Sequence, residues 1–409
     1  MRSGVFNKSI LLALTVILAA CQHKPNKASD ETQQQSQAKQ ISQKYIIADL
    51  HVDVPYRLKE KYADVSVATE GGDFDYPRAK SGGLDAPFMS IYIPASIEAE
   101  GGDSTTVANK LIDSVEAIVK RAPNKFALAY STDQLKDNFN KGLISLPMGM
   151  ENGAPIAGDL NNLKHFYDRG IRYITLSHSL SNHISDSSYD EARPAQGLTK
   201  FGKELVTAMN DIGVMVDVSH ISDLAFYDVM QHSQVPVIAS HSSARHFTPG
   251  FERNMNDEMI KTMAAKGGVI FINFGSTFVS QTSIEHWNAF KAARTSFMEK
   301  NNVDEDSDEV KNFTKTYNDE KPFPFADLND VLDHVDHVVQ ITGIDHVGIG
   351  SDYDGVGDSL PVGLKDVSAF PNLIEGLLGR GYSEADIAKI MSGNLVRVWQ
   401  EVETFAANK

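Results

Sequence analysis

The chain has 409 residues, 42% of them hydrophobic, which is enough apolar material for one large core or two smaller ones. A formal net charge of −16 argues against a nucleic-acid partner, because phosphate binding relies on clustered Lys and Arg. It is compatible with a small zwitterionic substrate, which responds to local rather than global charge.

In chain order, the first feature is a basic start, Arg2 and Lys8, followed by the apolar run Ile10–Ala20 and by Leu18-Ala19-Ala20-Cys21. About 18 apolar residues are needed to cross a bilayer, so the run is too short for a membrane helix. Residues 1–20 read as a bacterial lipoprotein signal peptide, cut before Cys21 so that this cysteine can be lipidated. The alternative is an ordinary secretory signal with an incidental cysteine. Cys21 is the only cysteine, so it has no intrachain disulfide partner. Residues 22–44 are rich in Gln, Lys, Ser and Asn and poor in large apolar side chains, so 21–44 is expected to be a flexible, lipid-anchored tether. Gln22 stands where an Asp would mark inner-membrane retention, which favours the outer membrane.

From Tyr45 to the end, short apolar runs alternate with helical patterns, the signature of βα units and of a (β/α)8 TIM-type barrel with insertions. The strand candidates are Ile46–Val52, Pro87–Ile93, Lys125–Tyr130, Ile144–Met150, Arg172–Ser177, Val214–Ser219, Val235–Ser240, Val269–Phe274 and Val347–Gly350. Nine candidates compete for eight positions, and Lys125–Tyr130 is set aside because it ends in no polar cluster and runs into a helix start at Ser131–Gln134. The runs are dense in Val and Ile, as expected of parallel strands covered on both faces. Helical spacing marks Leu198–Ile212, Asp257–Lys266, Ala326–Ile341 and Asn372–Leu378, with another helix opening at Ser383. Ser280–Lys321, of mixed charge and weak periodicity, reads as an insertion before the last strand.

Chemistry-bearing residues recur at the downstream ends of these strands. His51 and Asp53 close the first, followed by Glu151, His178, His220, His241 and Asp352. In a parallel barrel those ends converge on one face, where active sites are built. His51 and Asp53, at i and i+2 of a strand, would project together. His220 and His241 on successive strands favour zinc, although a mixed carboxylate and imidazole set also admits manganese or cobalt. The set resolves into two metal sites sharing Glu151, with His51 and Asp53 on one ion and His220 and His241 on the other. Two such ions can hold a bridging hydroxide. Asp352 or Asp354 would carry the proton. His178, surplus to the metal count, suits oxyanion stabilisation, and Arg253 could hold a carboxylate bidentately.

The combination resembles the membrane (renal) dipeptidase family of zinc peptidases, within the amidohydrolase group of barrels. The resemblance runs from about Ile46 to Val402 and is most specific in Ala48–Pro55, Met148–Gly153, Arg172–His178, Val237–Ser243 and His346–Gly355. It implies two zinc ions on the ligands named above, Asp352 as acid/base, His178 facing the tetrahedral intermediate and Arg253 on the substrate's C-terminal carboxylate. It also implies hydrolysis of dipeptides with free termini, including those ending in a D-residue, and dimerisation. Mammalian members carry disulfides and a C-terminal lipid, which this chain does not match.

Two other readings compete. A barrel amidohydrolase acting on a cyclic amide usually shows His-x-His after the first strand, whereas this chain has Asp53 there. A non-catalytic surface lipoprotein would show a lost ligand, and none is missing.

Overall fold

The computed structural model describes Met1, Gly4 and residues 27–409, with side chains from residue 33 onward. The signal segment and Cys21 lie outside the described residues. Among those described, no helix is long and apolar enough to cross a membrane.

The described residues contain ten strands in chain order: β1 (Ile47–Val52), β2 (Leu84–Tyr92), β3 (Phe126–Leu128), β4 (Ile144–Leu146), β5 (Met148–Glu151), β6 (Ile171–Thr175), β7 (Met215–Asp217), β8 (Ile238–Ser242), β9 (Val269–Ile272) and β10 (Val347–Ile349). Eight of them form one parallel sheet in the order β1-β2-β5-β6-β7-β8-β9-β10. Its two edges meet past the strand ends, where Asp53 N donates to Tyr353 O at 2.8 Å and Asp352 N to His51 O at 3.1 Å. The architecture is the (β/α)8 barrel.

The set-aside segment is indeed outside the barrel, because β3 pairs only with β4 in a two-stranded sheet. Pro147 separates β4 from β5 and lacks the N–H a ladder needs. The run 144–150 is therefore two strands in two sheets, where the sequence suggested one.

Alternate strand positions divide the core. Ala48, Leu50, Phe88, Tyr173, Met215 and Phe271 belong to a smaller cluster that includes Trp399 of the C-terminal helix Asn394–Ala407. Their neighbours Ile47, Ile174, Val216, Ile270 and Ile349 join the larger cluster beneath the surrounding helices. Such alternation is what a barrel wall requires.

Two segments are more regular than the sequence suggests. Lys27–Lys44 is a helix, and it packs against helix Phe370–Gly379, so the folded body starts well before Tyr45. Ala38 and Ile41, three residues apart and 1% and 3% exposed, lie on one face of it. Two small anchors are easily overlooked in so polar a segment. The insertion 280–321 is also regular: helices Gln281–Asn301 and Asp308–Glu320 pack through Phe297 on Phe313 and Phe290 beside Tyr317.

Candidate metal centre

Glu151, the last residue of β5, is the hub. Its Oε2 lies 3.3 Å from His51 Nε2, while its Oε1 lies 3.1 Å from His220 Nε2, 3.2 Å from His241 Nε2 and 3.5 Å from His178 Nε2. The two carboxylate oxygens thus face two different sets of imidazoles. Asp53 Oδ2 approaches His51 Nε2 at 3.4 Å, and His51, Asp53 and Asp352 converge as a further set. His51, Asp53, Glu151, His178, His220, His241 and Asp352, all singled out by sequence, meet at one point.

The backbone delivers them differently from a row of strand ends. His51 and His241 lie within strands, but His178, His220 and Asp352 sit three residues beyond β6, β7 and β10. At His220 and Asp352 the chain turns with φ of 68° and 66°, a left-handed conformation uncommon outside glycine. These turns bring the two side chains onto the mouth. Asp354 also has a left-handed φ, 67°, but it is directed elsewhere. It pairs with Arg57 Nε at 3.0 Å and accepts from Asp73 N at 2.6 Å. Of the two candidates for proton transfer, only Asp352 is in the cluster. Gly355 is required beside it, because a Cβ there would lie 2.2 Å from Asp352 Oδ1 and 2.3 Å from Asp53 Oδ2.

A layer of buried partners, not legible as ligands, sets the tautomers. Tyr173 OH donates to Leu50 O at 3.1 Å and so accepts from His51 Nδ1 at 2.8 Å. Ser240 Oγ donates to Asp217 Oδ2 at 2.6 Å and accepts from His241 Nδ1 at 2.7 Å. Both imidazoles therefore present Nε2 to the centre, the arrangement a metal-binding histidine needs. Asp217 also accepts from Thr175 Oγ1 at 2.5 Å, and Asp49 accepts from Ser351, binding β1 to the end of β10. Gly149 makes room for this: a Cβ on it would lie 2.0 Å from the Tyr173 ring. Asn273 Nδ2, just after β9, donates to Asp352 Oδ2 at 2.8 Å.

The electrostatics hold an ionised carboxylate at this point. Burial opposes ionisation of Glu151, but His51, His178, His220 and His241 outweigh it and hold the carboxyl well below its usual range. Burial and the nearby Arg253 keep His220 and His241 well below the ordinary histidine value, hence neutral. Their Nε2 atoms nevertheless face each other at 2.9 Å. His51 Nε2 and Asp53 Oδ1 are buried without a hydrogen-bond partner. Buried polar atoms in that condition are costly unless something satisfies them. A mixed imidazole and carboxylate set of this kind fits one or more divalent cations. Burial pushes the Asp352 carboxyl up to about 7, with Asp53 and Glu151 adding to the shift and His51 opposing it.

Arg253 is buried. It is 3% exposed, its Nη1 donates to Ser242 Oγ and its Nη2 to His241 O, each at 2.7 Å, and its plane lies over Phe278. His178 stacks edge-on against Tyr92 with ring centres 4.9 Å apart.

A parallel barrel whose strand ends gather four imidazoles around one carboxylate defines a metal-dependent hydrolase of the barrel type. The comparison with protein families agrees: the model for membrane dipeptidase (peptidase family M19) matches residues 35–409. The chain belongs to that family, and it is a metallopeptidase that hydrolyses peptide bonds. Its fold is similar to that of a probable dipeptidase, PvdM, from Pseudomonas aeruginosa, at 26% identity and a TM-score of 0.79, over 92% of this chain and 100% of that one. It is also similar to a metallopeptidase from Rhodobacter sphaeroides, at 23% identity and a TM-score of 0.71, over 88% and 99% respectively. The structure of that second protein is liganded with a phosphinate mimic of the dipeptide L-Ala-D-Ala.

Proposed function

We propose that this enzyme hydrolyses dipeptides with free termini, including those with a D-residue in second place, and that it uses two zinc ions. The observation carrying the two-ion reading is Glu151, whose two oxygens face separate imidazole sets. His51 and Asp53 would hold one ion, His220 and His241 the other, with Glu151 between them. When bound, the ions would polarise the scissile carbonyl and make a water acidic enough to attack at neutral pH.

The remaining steps belong to side chains. Asp352, which converges with His51 and Asp53, takes the proton of the attacking water and gives it to the leaving amine. Asn273 holds its Oδ2 in place. His178, neutral because burial lowers its proton affinity, offers a ring nitrogen at the mouth to the developing oxyanion. Arg253, a buried guanidinium fixed to the main chain of β8, receives the C-terminal carboxylate. The phosphinate dipeptide mimic held by the Rhodobacter neighbour supports this substrate class.

The test is to incubate the zinc-loaded protein with Ala-Ala having L or D at the second residue, with and without chelator. Cleavage of both that stops on chelation and returns with zinc is the expected result. A folded, metal-loaded protein that cleaves neither would defeat the reading, and a cyclic amide would then be the next substrate to try. The same reading holds the enzyme at a membrane through lipid on Cys21. The support is the signal-like sequence before it, and Cys21→Ser should release the protein from the membrane fraction.

A further inference from the structure

A second convergence of ligand-type side chains lies away from the strand ends. His246 belongs to the 3-10 turn Arg245–Phe247, Asp257 opens helix Asp257–Ala264, and His337 sits on helix Leu328–Thr342. The His246 and His337 rings stack at 4.3 Å with an interplanar angle of 19°. His337 Nε2 lies 2.8 Å from Asp257 Oδ1, and one ligand atom from each residue falls within 4.8 Å of the others. His246 is exposed, while the other two are half-buried.

We propose that His246, Asp257 and His337 form an additional site for a borderline divalent cation such as Zn2+, independent of the catalytic centre. A neutral imidazole offers one ring lone pair to a cation, and the stack sets two imidazoles beside the Asp257 carboxylate. Ligand atoms about 2.0–2.2 Å from one ion lie roughly 3.3 Å apart in tetrahedral geometry. The stacked rings must splay for both nitrogens to meet one ion, which the exposed position of His246 permits, and His337 Nε2 and Asp257 Oδ1 must part from 2.8 Å to that spacing. Two imidazoles and a carboxylate, with water completing the shell, select zinc, nickel or copper over calcium or magnesium.

The position gives the ion a role. His246 and Asp257 stand near the two ends of the loop that carries Arg253 and Asn254. This loop is pinned from inside where Ala244 N donates to His334 Nδ1 at 3.0 Å, and His334 is one turn before His337 on the same helix. An ion here would clamp both ends of the Arg253 loop to helix Leu328–Thr342, bracing the proposed carboxylate-binding segment from outside.

The experiment is equilibrium dialysis of the full-length protein against buffered free zinc, comparing wild type with H246A/H337A. Deuterium exchange over residues 244–257 is followed in parallel. The expected result is one more zinc per chain in the wild type, with exchange of this loop slowed by saturating zinc in the wild type only. Equal zinc content at every concentration would overturn the proposal. The difference between the proteins is the readout, so it stands apart from the catalytic count. One ion against none would sink the two-ion catalytic reading and leave this site intact, whereas two against two would do the reverse. Should the double variant fail to fold, Asp257→Asn, which keeps the residue's shape, replaces it and should weaken binding of the extra ion.

Discussion

At the scale of single residues, the division between what binds and what reacts is testable. Asp352 is held by Asn273 and lies among the carboxylates without being one of the hub's imidazoles. Replacing it with Asn should lower kcat by about 10²–10⁴, the range of a lost general acid–base, while zinc content measured by atomic absorption stays at the wild-type level. Full activity in Asp352→Asn would remove it from the mechanism. Gly149 tests the layer behind the ligands. An Ala Cβ there would collide with Tyr173, displacing the hydroxyl that orients His51. The expected outcome is metal affinity weakened by about 10–100-fold, as for other outer partners of metal ligands, and competition with a chelator reads it directly. Unchanged affinity would mean that Tyr173 does not set the His51 ring. The sequence displayed the residues that converge because His and carboxylate side chains stand out against apolar strands. It hid Tyr173, Ser240 and Asn273, since a hydroxyl or amide in or beside a strand reads as neutral filler until its partner is known, and it gave Asp217 no role until Ser240 and Thr175 were seen to donate to it. Arg253 showed its chemistry but not its burial.

At the scale of elements, buried titratable groups give opposing dependences on pH. His334, on helix Leu328–Thr342, accepts from Ala244 N and lies 3.2 Å from Val279 O, so one neutral tautomer satisfies both nitrogens. Burial lowers it to about 3 from an unfolded value near 6.5. The native chain therefore binds fewer protons between those values. The stability His334 contributes is complete above pH 6.5 and is lost as pH falls toward 3. Asp85 at the start of β2 behaves in the opposite sense. Burial raises its carboxyl from 3.8 to about 7, so its contribution is complete below 3.8 and lost as pH rises through 7. Between roughly pH 4 and 6.5 the two slopes oppose each other. Asp85→Asn removes one of them, so urea midpoints should fall more steeply on acidification in the variant than in the wild type. Parallel curves would contradict the assignment. Element boundaries were legible where caps are explicit: Ser131 accepts from Gln134 N at 3.2 Å, and Ser383 and Asp386 form a reciprocal capping box. They were not legible at Pro147, where one apolar run feeds two sheets, nor in 280–321, whose helices are held by aromatic pairs that become visible only once folded.

At the scale of the whole molecule, the helix Lys27–Lys44 belongs to the folded body and not to a tether. Ala38 and Ile41 are its apolar anchors, and Tyr45 OH bonds Glu384 at 2.7 Å just beyond it. Trimming the chain to begin at Tyr45 should cost roughly 2–4 kcal/mol, from the apolar surface of those two side chains returned to water. A urea midpoint unchanged by the trimming would show that the helix adds nothing to the barrel. The barrel itself was legible from alternating runs because eight parallel strands each need the same apolar wall and the same crossover. The way the helix Lys27–Lys44 packs on helix Phe370–Gly379 was not, because two anchors among polar residues leave no periodic trace.

The spread of the centre around the barrel has a consequence in time. His51 and Asp53 leave the ribosome first and Asp352 last, about 300 residues later, an interval of roughly 15–60 s at ordinary rates of synthesis. Until β10 is made and Ser351 bonds Asp49, the two edges of the sheet have nothing to close on. A nascent or unfolded chain can offer a cation only scattered single ligands. Hydrolytic competence therefore arrives in one step with completion of the last strand, and the polypeptide is harmless to peptides around it while it is being made.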